Sequence, residues 1–339
     1  MTVRRRVAAF VVLLVVVVAG VGWFAAAELA QSRAEHAAPS DVATAAPDDV
    51  TGPRLVFRST APGDLYGRVS AVPLADLDGP RAVSPVACDR VDATTRGVVC
   101  LRTKRGVVTT FEAQVLDADW QVAAEWPLPG TPSRTRFSPD GSLVATTAFV
   151  TGHSYASTGF STETVVRRAD GGGAVNLEEL TLVVDGAPAA PVDRNVWGVT
   201  FVDDSTFYAT VQSRSLGRTW LARGDLTART LTTVRDGVEC PSLSPDGTRL
   251  AFKHDADPGP EVHWTPAVLD LATGTVSVLD AETRNIDDQL AWLDDGTLLY
   301  GVPRTEESGV TDVWSLPADG TGAPAIAVPE AWSPAVVRP

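Results

Sequence analysis

The sequence predicts an all-β fold, a six-bladed β-propeller preceded by one apolar N-terminal helix, on three observations. The first is a recurring hairpin. CPSLSPDGTRLAFKH, residues 240–254, sets two strand-like runs around an Asp-Gly turn, and both turn residues tolerate the positive φ of tight primed hairpins. The same phase returns in RTRFSPDGSLVATTAF (134–149), VTFVDDSTFYATV (199–211) and LAWLDDGTLLYGV (290–302). The second is spacing. Asp140, Asp204, Asp246 and Asp295 share one turn position and lie 64, 42 and 49 residues apart, about one four-stranded blade each, with an insertion in the first interval. The third lies at the two ends. The first strands have no hairpin before them, and AWSPAVVRP (331–339) starts like a first strand and then stops. Joining them closes the ring and removes the edges an open sheet would expose.

Taken in order, the chain begins with Arg4, Arg5 and Arg6 ahead of an apolar run at 7–27. That run is long enough to cross a bilayer as a helix, and the basic flank stays in the cytoplasm. Everything after it is exported. The run is a signal anchor or a signal peptide, and its length beyond the usual apolar core of roughly 7 to 15 residues favours the anchor. No Cys stands near it to take a lipid. The expected location is a bacterial cell membrane, single-pass with the C-terminal domain outside the cytoplasm, or secretion if the segment is cleaved. Residues 28–53, rich in Ala, Pro, Asp, Ser and Thr, read as a flexible linker. The propeller occupies 54–339. Losing the three Arg takes the formal charge from -14 to -17, which argues against a nucleic-acid partner.

Within the propeller, 55–58, 66–74 and 81–85 are the second, third and fourth strands of the first blade. The next blade opens with VACDRV (86–91) and VVCLRT (98–103). Pairing Val91 with Gly97 sets Cys88 opposite Cys100 at a distance a disulfide accepts. Export favours that bond over two buried thiols, and Cys240 is left as a buried structural thiol. Blade three spans about 132–193 and holds the insertion. Its NLEELTLVVDG (176–186) is either an outer strand or a helical turn leading into one, and the strand is the reading adopted. Blades four, five and six follow at about 194–235, 236–283 and 284–330.

The SPDG hairpins at 138–141 and 244–247, followed by LVATTAF and RLAFKH, resemble the PD40 (WD40-like) repeats of the TolB propeller. VWSLPADGTG (313–322) and VLDLATG (268–274) resemble the third strand and turn of such repeats. The resemblance covers about 53–339 and implies a TolB-like fold. It implies little about function, because these repeats occur in envelope binding proteins and beside peptidase domains. Two departures stand out: 203–205 and 294–296 lack the Ser-Pro, and no TolB-type α/β domain precedes the propeller. A role in a Pal-linked complex therefore does not carry over.

No catalytic centre is legible. Gly152-His153-Ser154-Tyr155-Ala156 looks like a nucleophile elbow, but STGFSTE follows where the elbow needs a helix. The turn residues Asp140, Asp246 and Asp295 read as holding their own turns. His254, Asp255, Asp257, Glu261 and His263 read as a solvated loop around Pro258 and Gly259. No metal or other cofactor is implied. In an up-and-down blade all Asp-Gly turns collect on one face, and the longer second-to-third-strand connections and interblade links on the other. Loops on a rigid scaffold are where binding residues concentrate. The candidate binding residues on that long-loop face are His153, Ser154, Tyr155, Asn195, Trp197, Asp287, Asp288 and Trp332. The expected function is a monomeric, membrane-tethered module binding an envelope protein or peptide. The alternatives are a hydrolase or lyase acting on peptide or cell-wall substrate at the channel mouth, and a small-ligand sensor.

Overall fold

Alternating apolar residues build six sheets, which follow one another round a ring. The structure, a computed structural model, describes residues 10, 12–17, 19–20, 22–23, 40–152, 159–255 and 262–338. The apolar segment at 7–27 lies only partly within them. Among the described residues no helix is long and apolar enough to cross a membrane.

Blade 2, from the axis outward, is Arg90–Thr94, Gly97–Lys104, Thr110–Leu116 and Val122–Leu128. Blade 3 is Thr131–Phe137, Leu143–Thr151, Ser161–Arg168 and Ala174–Asn176. Blade 4 runs through Arg194–Phe201, Thr206–Ser213, Arg218–Asp225 and Thr230–Asp236. Blade 5 has Glu239–Leu243, Arg249–Asp255, Trp264–Asp270 and Val276–Val278. Blade 6 has Ala291–Asp294, Thr297–Pro303, Thr311–Pro317 and Ala325–Val328.

Blade 1 is made from both ends of the chain. Its inner strand is Ala331–Val337, paired antiparallel with Arg54–Ser59 from Ser59 opposite Ala331 to Arg54 opposite Val337. Arg68–Pro73 and Arg81–Ala87 complete it. The expected closure is therefore present. It is locked by apolar contact with the neighbouring blade, where Leu55 and Phe57 pack with Leu299, Val313 and Val328. Each such side chain, fully buried, contributes about 1.5–3 kcal/mol. Cores of the same kind lie between the other blades, for example Val56, Val69, Val98 and Leu116 between blades 1 and 2.

Four details differ from the sequence reading. In blade 2 the register sets Thr94 opposite Gly97 and Val91 opposite Cys100, so Cys88 precedes the strand instead of facing Cys100 within it. The disulfide still forms, with the Cα atoms 5.4 Å apart, because Cys88 is carried to its partner by the interblade link. The SPDG turns are not primed. Only Gly141 (φ 70°) and Gly247 (φ 72°) are left-handed, with Pro and Asp as the central pair of a turn closed by Gly141 N–H on the Ser138 carbonyl. The segment at 176–186 is a 3-10 turn, Leu177–Glu179, followed by Thr181–Val184. That strand pairs parallel with Thr230–Asp236 and so extends blade 4, not blade 3. The turn buries Leu177 and Leu180 in the core between the two blades, which an outer strand at that place could not do. Finally, from Ser40 onward the chain lies along blade 1. Thr44–Ala45 pairs with the fourth strand and Ser40 Oγ donates to Glu330 Oε2 at 2.6 Å.

The aspartates hold their turns where Ser-Pro precedes them. Asp140 Oδ1 accepts from Ser138 Oγ at 2.7 Å and Ser142 N at 3.0 Å, and Asp246 Oδ1 repeats this with Ser244 and Thr248 at 2.6 and 3.0 Å. Without Ser-Pro the role moves one residue back, to Asp203 and Asp294. Asp295 instead accepts from Asp246 N of the neighbouring blade at 3.0 Å.

Candidate functional site

The inner strands of blades 4, 5 and 1 begin with a bulge at the long-loop end of the axis. Their registers shift between Trp197 and Thr200, between Glu239 and Ser242, and opposite Val56 and Arg58. Each bulge holds one left-handed residue: Gly198 (φ 64°), Cys240 (φ 49°) and Ser333 (φ 56°). A bulge bends its strand and re-aims the side chain beside it. The neighbours so placed are Trp197, Glu239 and Trp332.

Charges gather at this mouth. Lys253 Nζ, buried on the second strand of blade 5, stands 2.6 Å from Asp287 Oδ1 and over the Trp264 ring at 4.6 Å. Arg134 of blade 3 donates to the Asp287 carbonyl at 3.2 Å. Arg90 of blade 2 pairs with Asp288 at 3.3 Å and lies over the Trp332 ring at 4.9 Å. Asp288 also accepts from Gly301 N at 3.0 Å. A cavity of about 340 Å³ opens among Arg90, Arg134, Phe149, Asp287, Gly301 and Trp332.

Burial pushes the Glu239 carboxyl up to about 7, against the pull of Lys253. It also raises the Cys240 thiol. Burial opposes the Lys253 charge, yet the Cys240 sulfur and the carboxylates of Asp287 and Glu239 outweigh it and hold the ammonium above its ordinary value. For Asp287 burial acts upward, but Lys253 and Arg134 beside it win and lower it. The mouth thus carries a hydrogen-bonded ion network in place.

Of the predicted residues, Asp287 and Trp332 line this cavity, and Asp288 is buried behind it, paired with Arg90. Asn195 and Trp197 sit behind it, in the seam between blades 3 and 4. Asn195 Oδ1 accepts from Thr162 N at 2.8 Å, and Trp197 is fully buried with Phe149, Phe160 and Cys240. His153, Ser154 and Tyr155 lie outside the described residues, as do Asp257 and Glu261. Among the described residues no three His, Cys, Asp or Glu side chains are grouped to hold a metal. Sequence reasoning missed Arg90, Arg134, Lys253 and Glu239. The available signal was a charged residue on an otherwise apolar inner or second strand, which is rare unless paired.

Sequence reasoning also missed Glu178, in the 3-10 turn. Its carboxylate accepts from Thr164 N at 2.9 Å and Val196 N at 3.2 Å, one from each of blades 3 and 4. Burial raises it to about 7, against those hydrogen bonds.

No protein-family model matches the chain, and no curated protein does. Solved structures do. TolB from Acinetobacter baumannii aligns with a TM-score of 0.57 at 17% identity, covering 86% of this chain and 68% of that one. Oligogalacturonate lyase from Vibrio parahaemolyticus aligns at TM-score 0.46 and 10% identity, over 83% and 78% of the two chains. The propeller domain of the Trilobed protease from Pyrococcus furiosus reaches 0.39 at 12%, over 69% and 70%. The last two TM-scores are too low to bear on chemistry. What the first establishes is architecture: the chain folds as a TolB-like six-bladed β-propeller.

Proposed function

We propose that this protein is a membrane-tethered, extracytoplasmic module that binds a protein or peptide of the cell envelope at the long-loop mouth of its propeller. The observation that carries the reading is the group at that mouth: Trp332, Arg90 and the half-exposed Asp287 around a cavity, with Arg90 over the Trp332 ring and Asp287 paired with Lys253. Aromatic and Arg side chains on a rigid frame are the residues that dominate binding energy in protein interfaces. The apolar run behind three Arg supports the tether, and the acidic surface supports solubility outside the cytoplasm.

The test is affinity capture from solubilised envelope with the full chain as bait, beside Trp332→Ala, Asp287→Ala and a turn-face control, Asp319→Asn. A partner held by the wild type and the control, and lost with the mouth variants, supports the reading. Equal capture by all four folded baits, or by none, refutes it. The tether is tested separately, by whether the chain stays with membranes through an alkaline wash.

A further inference from the structure

The opposite end of the axis, on the Asp-Gly turn face, holds a second cavity, of about 390 Å³. All six blades line it. Asp92 comes from blade 2, Arg136 from blade 3, Phe201 from blade 4, Leu243 from blade 5, Trp292 from blade 6, and Arg338 follows the inner strand of blade 1. Its size falls within the range of small-molecule sites, which combine apolar walls with a few placed polar groups. Here the walls are aromatic and aliphatic. Trp292 is fixed, with Nε1 donating to the Ser242 carbonyl at 2.9 Å and Arg249 against its ring at 5.3 Å.

The polar groups are unequal. Asp92 is buried and committed: Oδ2 accepts from Phe137 N at 2.6 Å. Arg136 is held loosely, with Nη1 3.8 Å from Asp92 and Nη2 donating to the Leu290 carbonyl at 3.5 Å. Its Nε–H is buried and meets no acceptor among the described residues. A guanidinium offers five donors in a fixed fork suited to a carboxylate. Burial raises the Asp92 carboxyl, against the pull of Arg136. Arg338 stands exposed at the lip and donates to the Leu293 carbonyl.

We infer that this turn-face cavity is a binding site for a small carboxylate with an apolar body, its carboxylate taken by Arg136 and its body seated against Phe201 and Trp292. The site is separate from the long-loop mouth and stands or falls independently of it. It needs no covalent step.

Isothermal titration of the full chain with benzoate, benzamide and benzylammonium tests it. Benzoate should give a saturable isotherm in the millimolar range or below, with neither other probe doing so at the same concentration. Arg136→Gln should weaken benzoate by about tenfold or more, the order expected for losing a charged hydrogen-bonding partner. Arg338→Gln, at an exposed residue on the lip, should weaken it by a smaller factor of roughly 2 to 5. Circular dichroism checks each variant, and Arg338→Gln decides the matter if Arg136→Gln does not fold. Equal binding of all three probes, no saturable benzoate binding, or benzoate binding unchanged in the folded variants overturns the inference.

Discussion

Gly198 and Gly217 have almost the same backbone, φ 64° and 62°, and very different surroundings. A Cβ at Gly198 would stand 2.6 Å from the Cα of Cys240, whereas at Gly217 it would meet nothing within 4 Å. Substituting Ala at either position incurs the left-handed penalty of roughly 1–2 kcal/mol, offset by about 0.4–1 kcal/mol from a less free unfolded chain. Only Gly198→Ala adds a clash with backbone, which overpacking studies place at about 1–3 kcal/mol. Gly217→Ala should therefore lose about 1 kcal/mol, and Gly198→Ala about 2–4 kcal/mol. At ~2 °C per kcal/mol for a domain of this size, the two melting temperatures should differ by about 2–6 °C. Thermal unfolding followed by circular dichroism reads this directly. Cys240→Ala should not rescue Gly198→Ala, because the close atom is Cα. Equal melting temperatures for the two glycine variants, or rescue by Cys240→Ala, would show that the two bulges do not touch as described.

Further outcomes follow from buried groups. Asp287→Ala takes the 2.6 Å partner from a buried ammonium and should destabilise by about 3 kcal/mol in urea unfolding, while Lys253→Met, which leaves a half-exposed carboxylate, should lose less. Glu178 has a folded pKa of about 7, above its ordinary 4.5, so the native state binds more protons and stability falls as pH rises across that interval; Glu178→Gln should make the fall in melting temperature between pH 4.5 and 7 shallower, leaving the part that comes from Glu239, raised to the same value. Thiol titration of the native chain should find no reactive group, and unreduced denaturation should release one, Cys240. Cys88→Ser, by opening the bridge, should lose about 3 kcal/mol.

Much of the architecture was legible because turns and ring closure are local chemistry. SPDG announces a hairpin whatever surrounds it, and the missing strand at one end matches the spare strand at the other. Register was not legible in the same way. The hairpin at 90–104 could be drawn three residues off because its pairing is fixed by the interblade link that brings Cys88 in, a contact with no periodic trace. The turn at 177–179 was missed for a related reason: Glu178 is buried by two blades at once, and each alone would leave it exposed. Topology places Asp287, Asp288 and Trp332 at the mouth end, since inner strands start there, and the structure has them at that end. Lys253 was not, although it stands within the hairpin that defined the repeat, because nothing in alternation says which buried position will meet a carboxylate from the next blade.

Ring closure also sets a schedule. Ser59 pairs with Ala331, about 270 residues later, and at roughly 5–20 residues per second of synthesis that interval is about 15–55 s. During it the Arg54–Ser59 strand has an open flank while later blades form. The blade begun first is the one finished last. A chain cut short even by its final strand is consequently an open ring with one unpaired edge and half of a seam, ready to accept a strand from another molecule.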